Sequence, residues 1–211
     1  MINVLVVDDH DLIRAGISRM LEDDGKIRVL GEAGSGEEAL EQVKQLRPDV
    51  VLMDIKMPGI GGLEATRRIH QGAESAKIVV VSSCTDNPYA NRVLESGASA
   101  YVSKNSHIKE MICAIEKVHN GERYLSADIA QSMALGSSGN PFDQLSGREM
   151  QIASMIMACQ KVQDISDALC LSPKTVNSYR YRIFEKLGIN SDVELTLQAV
   201  KHGLLEVDGV Q

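Results

Sequence analysis

Val50-Val51-Leu52-Met53-Asp54 is an unbroken apolar run that ends on a carboxylate. Continuous aliphatic residues, as opposed to alternating ones, belong to a strand buried on both faces, as in a parallel sheet covered by helices. Outward from it, Val4–Val7 ends in the same way on Asp8 and Asp9, and Ile78–Val81 ends on Ser82. Weaker runs stand at Ile27–Leu30 and Ala100–Val102, the latter leading through Ser103 to Lys104. Between the runs, apolar residues recur at helical spacing: Leu12, Ile13, Ile17, Met20 and Leu21; Ala39, Leu40, Val43 and Leu46; Ile108, Met111, Ile112 and Ile115. Strand alternating with helix predicts an α/β fold over residues 1–120, a five-stranded doubly wound parallel sheet whose ligands sit at the carboxyl ends of its strands.

After Gly121 the pattern changes. Residues 121–141 read as a linker with a short helix, Ser126–Leu135, followed by the break Gly136-Ser-Ser-Gly-Asn-Pro141. Residues 142–206 read as a small all-α domain of four helices. Ser146 with Glu149 and Ser191 with Glu194 fit the Ser-x-x-Glu capping box, and Ser172-Pro173 is a helix start because proline at the first helical position needs no N–H partner. Val162, Ile165, Ala168 and Leu169 form a short amphipathic helix, and Cys170-Leu171-Ser172 turns into a second helix ending near Leu187. That spacing is a helix-turn-helix, whose second helix enters the DNA major groove. Val176, Ile183 and Leu187 face its neighbours with Arg180 at their margin. Lys174, Ser178, Tyr181 and Glu185, flanked by Asn177 and Arg182, are left to reach phosphates and base edges, with Thr175 a further candidate DNA contact.

The chain carries a net charge of −7, an odd start for a DNA binder. The acidity lies mostly in residues 1–120, with 18 Asp and Glu against 14 Lys and Arg, whereas Lys174–Lys186 holds four basic residues and only Glu185. DNA affinity then rests on a small patch. Cys84, Cys113, Cys159 and Cys170 are too widely spaced for a metal motif and read as buried, reduced thiols. Nothing resembles a signal peptide and no apolar stretch spans a bilayer, so a cytoplasmic protein with no membrane partner is expected.

With the first and third strands adjacent, Asp8, Asp9 and Asp54 converge at one sheet edge. Three carboxylates so close repel, so the cluster is tolerable only if it is protonated or if a cation neutralises it. Hard oxygen ligands at this density suit Mg2+, which also screens the attack of an anionic phosphoryl donor by a carboxylate. Ser82 and Lys104, at the ends of the fourth and fifth runs, place a hydroxyl and an ammonium for the oxygens of a phosphoryl group.

Val-Asp8-Asp9-His, Met-Asp54-Ile-Lys-Met-Pro58-Gly, Val81-Ser82 and Gly97-Ala-Ser-Ala-Tyr101-Val-Ser-Lys104 resemble the receiver domain of two-component response regulators, a flavodoxin-like fold. The resemblance implies that Asp54 is the phosphoacceptor for a sensor histidine kinase. It also implies that Asp9 and Asp54 ligate Mg2+ directly, Asp8 through water and Lys56 through its backbone carbonyl. Lys104 then pairs with the phosphoryl oxygens, and Ser82 swings toward them as Tyr101 turns inward. Where many receivers carry proline after this lysine, the chain has Asn105. Leu145-Ser-x-Arg148-Glu149 and the run Ser172-Pro-Lys-Thr-Val-Asn-Ser-Tyr-Arg-Tyr-Arg-Ile183-Phe-Glu-Lys-Leu-Gly188 resemble the LuxR-type DNA-binding domain. Together the two halves resemble the NarL/FixJ subfamily and, within it, the GacA/UvrY-type branch. Duplex DNA, RNA polymerase and a second copy of the phosphorylated chain are the implied partners.

Two other readings compete. Aspartate-nucleophile phosphohydrolases share this equipment, but they carry a carboxylate two residues after the nucleophile, where this chain has Lys56; no enzymatic turnover is expected. A protein-binding tail favours an apolar stripe, whereas Lys174, Asn177, Ser178, Tyr181 and Arg182 are polar.

Overall fold

The computed structural model describes residues 1–72, 76–82, 92–135, 140–202 and 204–205. It divides into two compact units, Met1–Gly136 and Ser137–Gln211.

The first unit is built on β1 (Ile2–Val7), β2 (Ile27–Ala33), β3 (Val50–Asp54), β4 (Lys77–Ser82), β5 (Ala100–Ser103) and β6 (Tyr124–Leu125), joined in the order β2-β1-β3-β4-β5-β6 with every neighbouring pair parallel. The helices are α1 (Asp11–Glu22), α2 (Gly36–Leu46), α3 (Gly61–Gln71), α4 (Ile108–His119) and α5 (Ala127–Leu135). Successive side chains alternate across the sheet. Val4, Val6, Val50, Leu52, Val79, Val81, Ala100 and Val102 form one core with Ile17 and Leu21 of α1 and Met111, Ile115 and Val118 of α4. The residues between them, such as Leu5, Val51 and Met53, are also fully buried, which is why the strands read as continuous apolar runs.

Three details depart from the sequence-based expectation. The sheet has a sixth strand: Tyr124 and Leu125, in the segment read as a linker, pair with Ala100 and Tyr101. Ser126 and Ile129 beyond it are fully buried, so this segment belongs to the first unit as far as α5. The second departure is in α1, whose apolar residues do not form one stripe. Ile17 and Leu21 are buried, but Leu12 is 86% exposed and Ile13 and Met20 are nearly half exposed. The third concerns the cysteines: Cys159 and Cys170 are exposed, each at a left-handed position (φ 58° and 53°) just past a helix end. Cys84 and most of the expected break, residues 136–139, lie outside the described residues.

The second unit opens with a 3-10 turn (Pro141–Gln144), followed by α6 (Gly147–Met157), α7 (Val162–Leu169), α8 (Pro173–Leu187) and α9 (Asp192–Lys201). Ser146 and Glu149 form the expected capping box, and the Ser172 Oγ accepts the Thr175 N–H at 3.1 Å to start α8 at Pro173. Ser191 accepts the Glu194 N–H, while the Glu194 carboxylate reaches back one residue further than expected, to the Asn190 N–H at 2.8 Å. Gly188, at φ 65°, ends α8. Met150, Ile152, Ile165, Val176, Ile183 and Leu195 are fully buried between the helices. Among the described residues no helix is long and apolar enough to cross a membrane.

Candidate phosphoacceptor site and nucleic-acid interface

Because β1 lies beside β3, Asp8 just past one strand and Asp54 at the end of the other meet at the carboxyl edge of the sheet. Both carboxylates are buried. The Lys104 ammonium, delivered from the end of β5, lies 2.7 Å from Asp8 Oδ2 and 2.7 Å from Asp54 Oδ2. Ser82 is fully buried at the end of β4, one residue past the Asp54–Val81 register pair, and its carbonyl accepts the Lys104 N–H at 2.8 Å. Burial pushes the Asp54 carboxyl up from its ordinary value, against the downward pull of the Lys104 hydrogen bond. Burial acts on Lys104 in the opposite sense, but its bonds to Asp54 and Asp8 outweigh that, and the ammonium is held above its ordinary value.

Asp8, Asp9, His10 and Asp54 each offer a ligand atom, all within 4.8 Å of one another. Asp9 Oδ1 is buried and accepts no hydrogen bond. The loop after Asp54 is held tightly: the Lys56 N–H approaches Asp54 Oδ1 at 3.4 Å, and the Gly62 N–H donates to the Ile55 carbonyl at 3.0 Å. Gly62 lies so close that a Cβ there would stand 1.7 Å from the Asp54 carbonyl oxygen. Glu37, at the start of α2, accepts the Ile60 N–H at 3.0 Å and fills the space beside Gly59, whose φ is 74°.

In the second unit, α8 presents Lys174, Ser178, Tyr181 and Arg182 to solvent, with Tyr181 71% exposed. Thr175 and Asn177 are half-buried. The Thr175 hydroxyl contacts Ser172 Oγ at 2.8 Å, and Ser178 Oγ donates to the Lys174 carbonyl. Two of the four basic residues are bound inside the unit. Arg180 makes a two-pronged pair with Asp192 and lies over Phe184; Lys186 Nζ is 2.6 Å from the buried carboxylate of Glu149. Arg182 lies over the Tyr179 ring.

Residues 4–116 match the response regulator receiver domain, and residues 143–199 match the luxR family of bacterial regulatory proteins. The chain is a response regulator. It is 57% identical to the response regulator GacA of Pseudomonas viridiflava over 98% of this chain and 99% of that protein, and 52% identical to UvrY of Escherichia coli K12 over 99% and 98%. A LuxR-family response regulator from Aurantimonas sp. SI85-9A1 superposes with a TM-score of 0.62 at 38% identity, covering 64% of this chain and 96% of that one. RcsB from Salmonella enterica serovar Typhimurium, bound to the promoter P1flhDC with BeF3-, shares the fold over 95% of this chain and 98% of its own (TM-score 0.76, 22% identity).

In this response regulator Asp8, Asp9, Asp54, Ser82 and Lys104 gather at one sheet edge. Lys56 follows in the loop, its side chain exposed. Tyr101 is fully buried in β5. Sequence reasoning left out three supports. Arg14 donates to the Asp8 carbonyl at 2.7 Å and pairs with Glu32; Glu37 and Gly62 shape the loop after Asp54. Only Gly62 had a visible signal, in the run Gly59-Ile-Gly-Gly62.

Proposed function

We propose that the molecule is a phosphorylation-controlled transcription regulator in which Asp54 accepts a phosphoryl group from a sensor histidine kinase. The observation that carries this reading is the Lys104 ammonium set 2.7 Å from both Asp8 and Asp54 at the carboxyl ends of β1, β3 and β5. In the transfer, an Asp54 oxygen attacks the phosphorus, the P–N bond to the donor histidine breaks, and the electron pair returns to the imidazole. Lys104 stays protonated and exchanges its bond to Asp54 for one to the phosphoryl oxygens, where its charge develops the most benefit. Ser82 supplies a hydroxyl from the neighbouring strand end, and Tyr101 closes behind it.

The residues fit Mg2+. Three carboxylates against one ammonium leave a formal charge of −2, and the buried Asp9 Oδ1 is an acceptor lacking any hydrogen bond. Asp9, Asp54 and the Lys56 carbonyl would hold the ion, with Asp8 reaching it through water. Bound there, it offsets the repulsion between an anionic donor and an anionic acceptor. Lys56, two residues past Asp54, stands where aspartate-nucleophile phosphohydrolases carry a carboxylic acid, which argues against turnover of other phosphate esters.

The output is DNA binding through α8. Lys174 and Arg182 meet phosphates, while Asn177, Ser178 and Tyr181 reach base edges, with Thr175 at the helix N-terminus. RNA polymerase and a second phosphorylated copy are the further partners, in the cytoplasm. The test is phosphorylation by a small phosphodonor. A single acid-labile phosphoryl group is expected in the presence of Mg2+ and none in Asp54→Asn. Labelling that persists in Asp54→Asn, or without divalent metal, would overturn the reading.

A further inference from the structure

His10 follows the acidic pair, and its ring turns back toward it. Its Nδ1 lies 3.0 Å from Asp9 Oδ1 and 3.3 Å from Asp8 Oδ1. The approach to Asp8 is a hydrogen bond, but Asp9 Oδ1 accepts none although the imidazole nitrogen is so near. In the tautomer that carries its proton on Nε2, the Nδ1 lone pair and Asp9 Oδ1 are spaced as cis ligands of one ion: for bonds of about 2.1 Å, an octahedral edge is about 3.0 Å. The widest separation in the group, within 4.8 Å, is slightly more than the span of two such bonds, so small side-chain movements close the cage.

Resting on the reading of the acidic edge as a divalent-cation site, we propose that His10 is itself a ligand there, and that it biases the site toward a first-row transition ion such as Mn2+ over Mg2+. Mg2+ is a hard ion that takes oxygen and water, whereas an imidazole nitrogen gains more from a transition ion. With His10 62% exposed, the ring is free to turn between Asp8 and the ion, so the site still accepts Mg2+ through its carboxylates alone. The identity of the bound metal then depends on one side chain outside the set of carboxylates.

The experiment is pulsed electron paramagnetic resonance of the full-length protein loaded with Mn2+, beside titrations of Mn2+ and Mg2+. Modulation from a directly bound imidazole 14N is expected in the native protein and lost in both His10→Ala and His10→Gln. The Mn2+ dissociation constant should rise about tenfold in these variants while that for Mg2+ changes by less than about twofold. Mn2+ bound with no 14N modulation, or Mn2+ affinity unchanged in both variants, would overturn the role of His10 and leave the carboxylate site intact. Failure of Mn2+ and Mg2+ to bind the native protein at all would overturn the cation site as well.

Discussion

Gly62→Ala tests how tightly the fold holds the phosphoacceptor. The added Cβ would stand 1.7 Å from the Asp54 carbonyl oxygen, 2.7 Å from its carbonyl carbon and 2.9 Å from the Ile55 Cα. All three are backbone atoms, so no flexible side-chain end can yield. To bring the first of these to 3.0 Å, β3 and α3 must separate by more than 1 Å, which also strains the Gly62–Ile55 hydrogen bond. Overpacking of a well-filled interior costs roughly 1–3 kcal/mol, and a clash against backbone belongs at or above the upper end. A displacement of about 1 Å at a reacting group can cost about 100-fold in rate. Gly61→Ala is the control. At φ 69° it carries left-handed strain of roughly 1–2 kcal/mol, but its Cβ comes no nearer than 3.7 Å, to the Ile55 carbonyl oxygen. Urea unfolding should show the larger loss for Gly62→Ala. The rate of phosphorylation by a small donor should fall far more in it than in Gly61→Ala. Equal unfolding midpoints with native phosphorylation rates in Gly62→Ala would refute the reasoning.

Other outcomes follow from the same geometry. Lys104 pulls the Asp54 carboxyl down against its burial; in Lys104→Met that carboxyl should rise further, and the acid limb of the phosphorylation pH profile should move to higher pH. In Arg180→Ala, loss of the Asp192 pair and the Phe184 stacking should destabilise the second unit by about 1 kcal/mol, read as a lower thermal midpoint. Lys174→Ala should leave that midpoint alone and weaken binding to all duplexes, lowering the salt slope by about 1. Burial alone would raise Glu149, but its bonds to Lys186 and Ser146 hold it below its ordinary value of 4.5. A depressed carboxyl stabilises the fold above that value and loses the contribution as pH falls through its folded-state value. Glu149→Gln should therefore narrow the stability gap between neutral and acid pH, measured by denaturant midpoints.

The sheet edge was legible because the aliphatic runs Val4–Val7, Val50–Met53 and Ile78–Val81 each end on a polar residue of the candidate site. Burial on both faces admits no polar residue earlier, so Asp54, Ser82 and the Asp8-Asp9 pair mark both the strand ends and the site. The sixth strand was not legible, since Tyr124 and Leu125 are two residues with no pattern to read, and they pair only because β5 presents an open edge. Leu12 and Met20 fit a helical period but not the face that meets the sheet, and spacing alone cannot choose between faces separated by part of a turn. The roles of Arg14 and Glu37 rest on contacts with the backbone of Asp8 and Ile60, which no periodic pattern marks. In the second unit, the cap residues of α6, α8 and α9 were readable because their hydrogen bonds close within a few residues.

The basic segment shows where counting charges misleads. Lys174–Lys186 holds four basic residues in sequence, and three-dimensional pairing divides them. Arg180 is spent on Asp192, fixing α8 to α9, and Lys186 on the buried Glu149, fixing it to the start of α6. Both orient the helix, but neither presents an uncompensated charge to a phosphate. Lys174 and Arg182 carry the exposed positive charge, one near each end of the helix face. Since each phosphate contact contributes a salt slope of about 0.9, the two contacts proposed for α8 would supply a slope of only about 2 per unit. A second copy on an adjacent half-site would double the number of contacts. It would also make binding of the second unit effectively intramolecular, which multiplies affinity without any new contact. On the proposed reading, a DNA-binding unit this sparingly charged would gain most of its affinity from pairing, and a receiver that pairs when phosphorylated would be the means of controlling it.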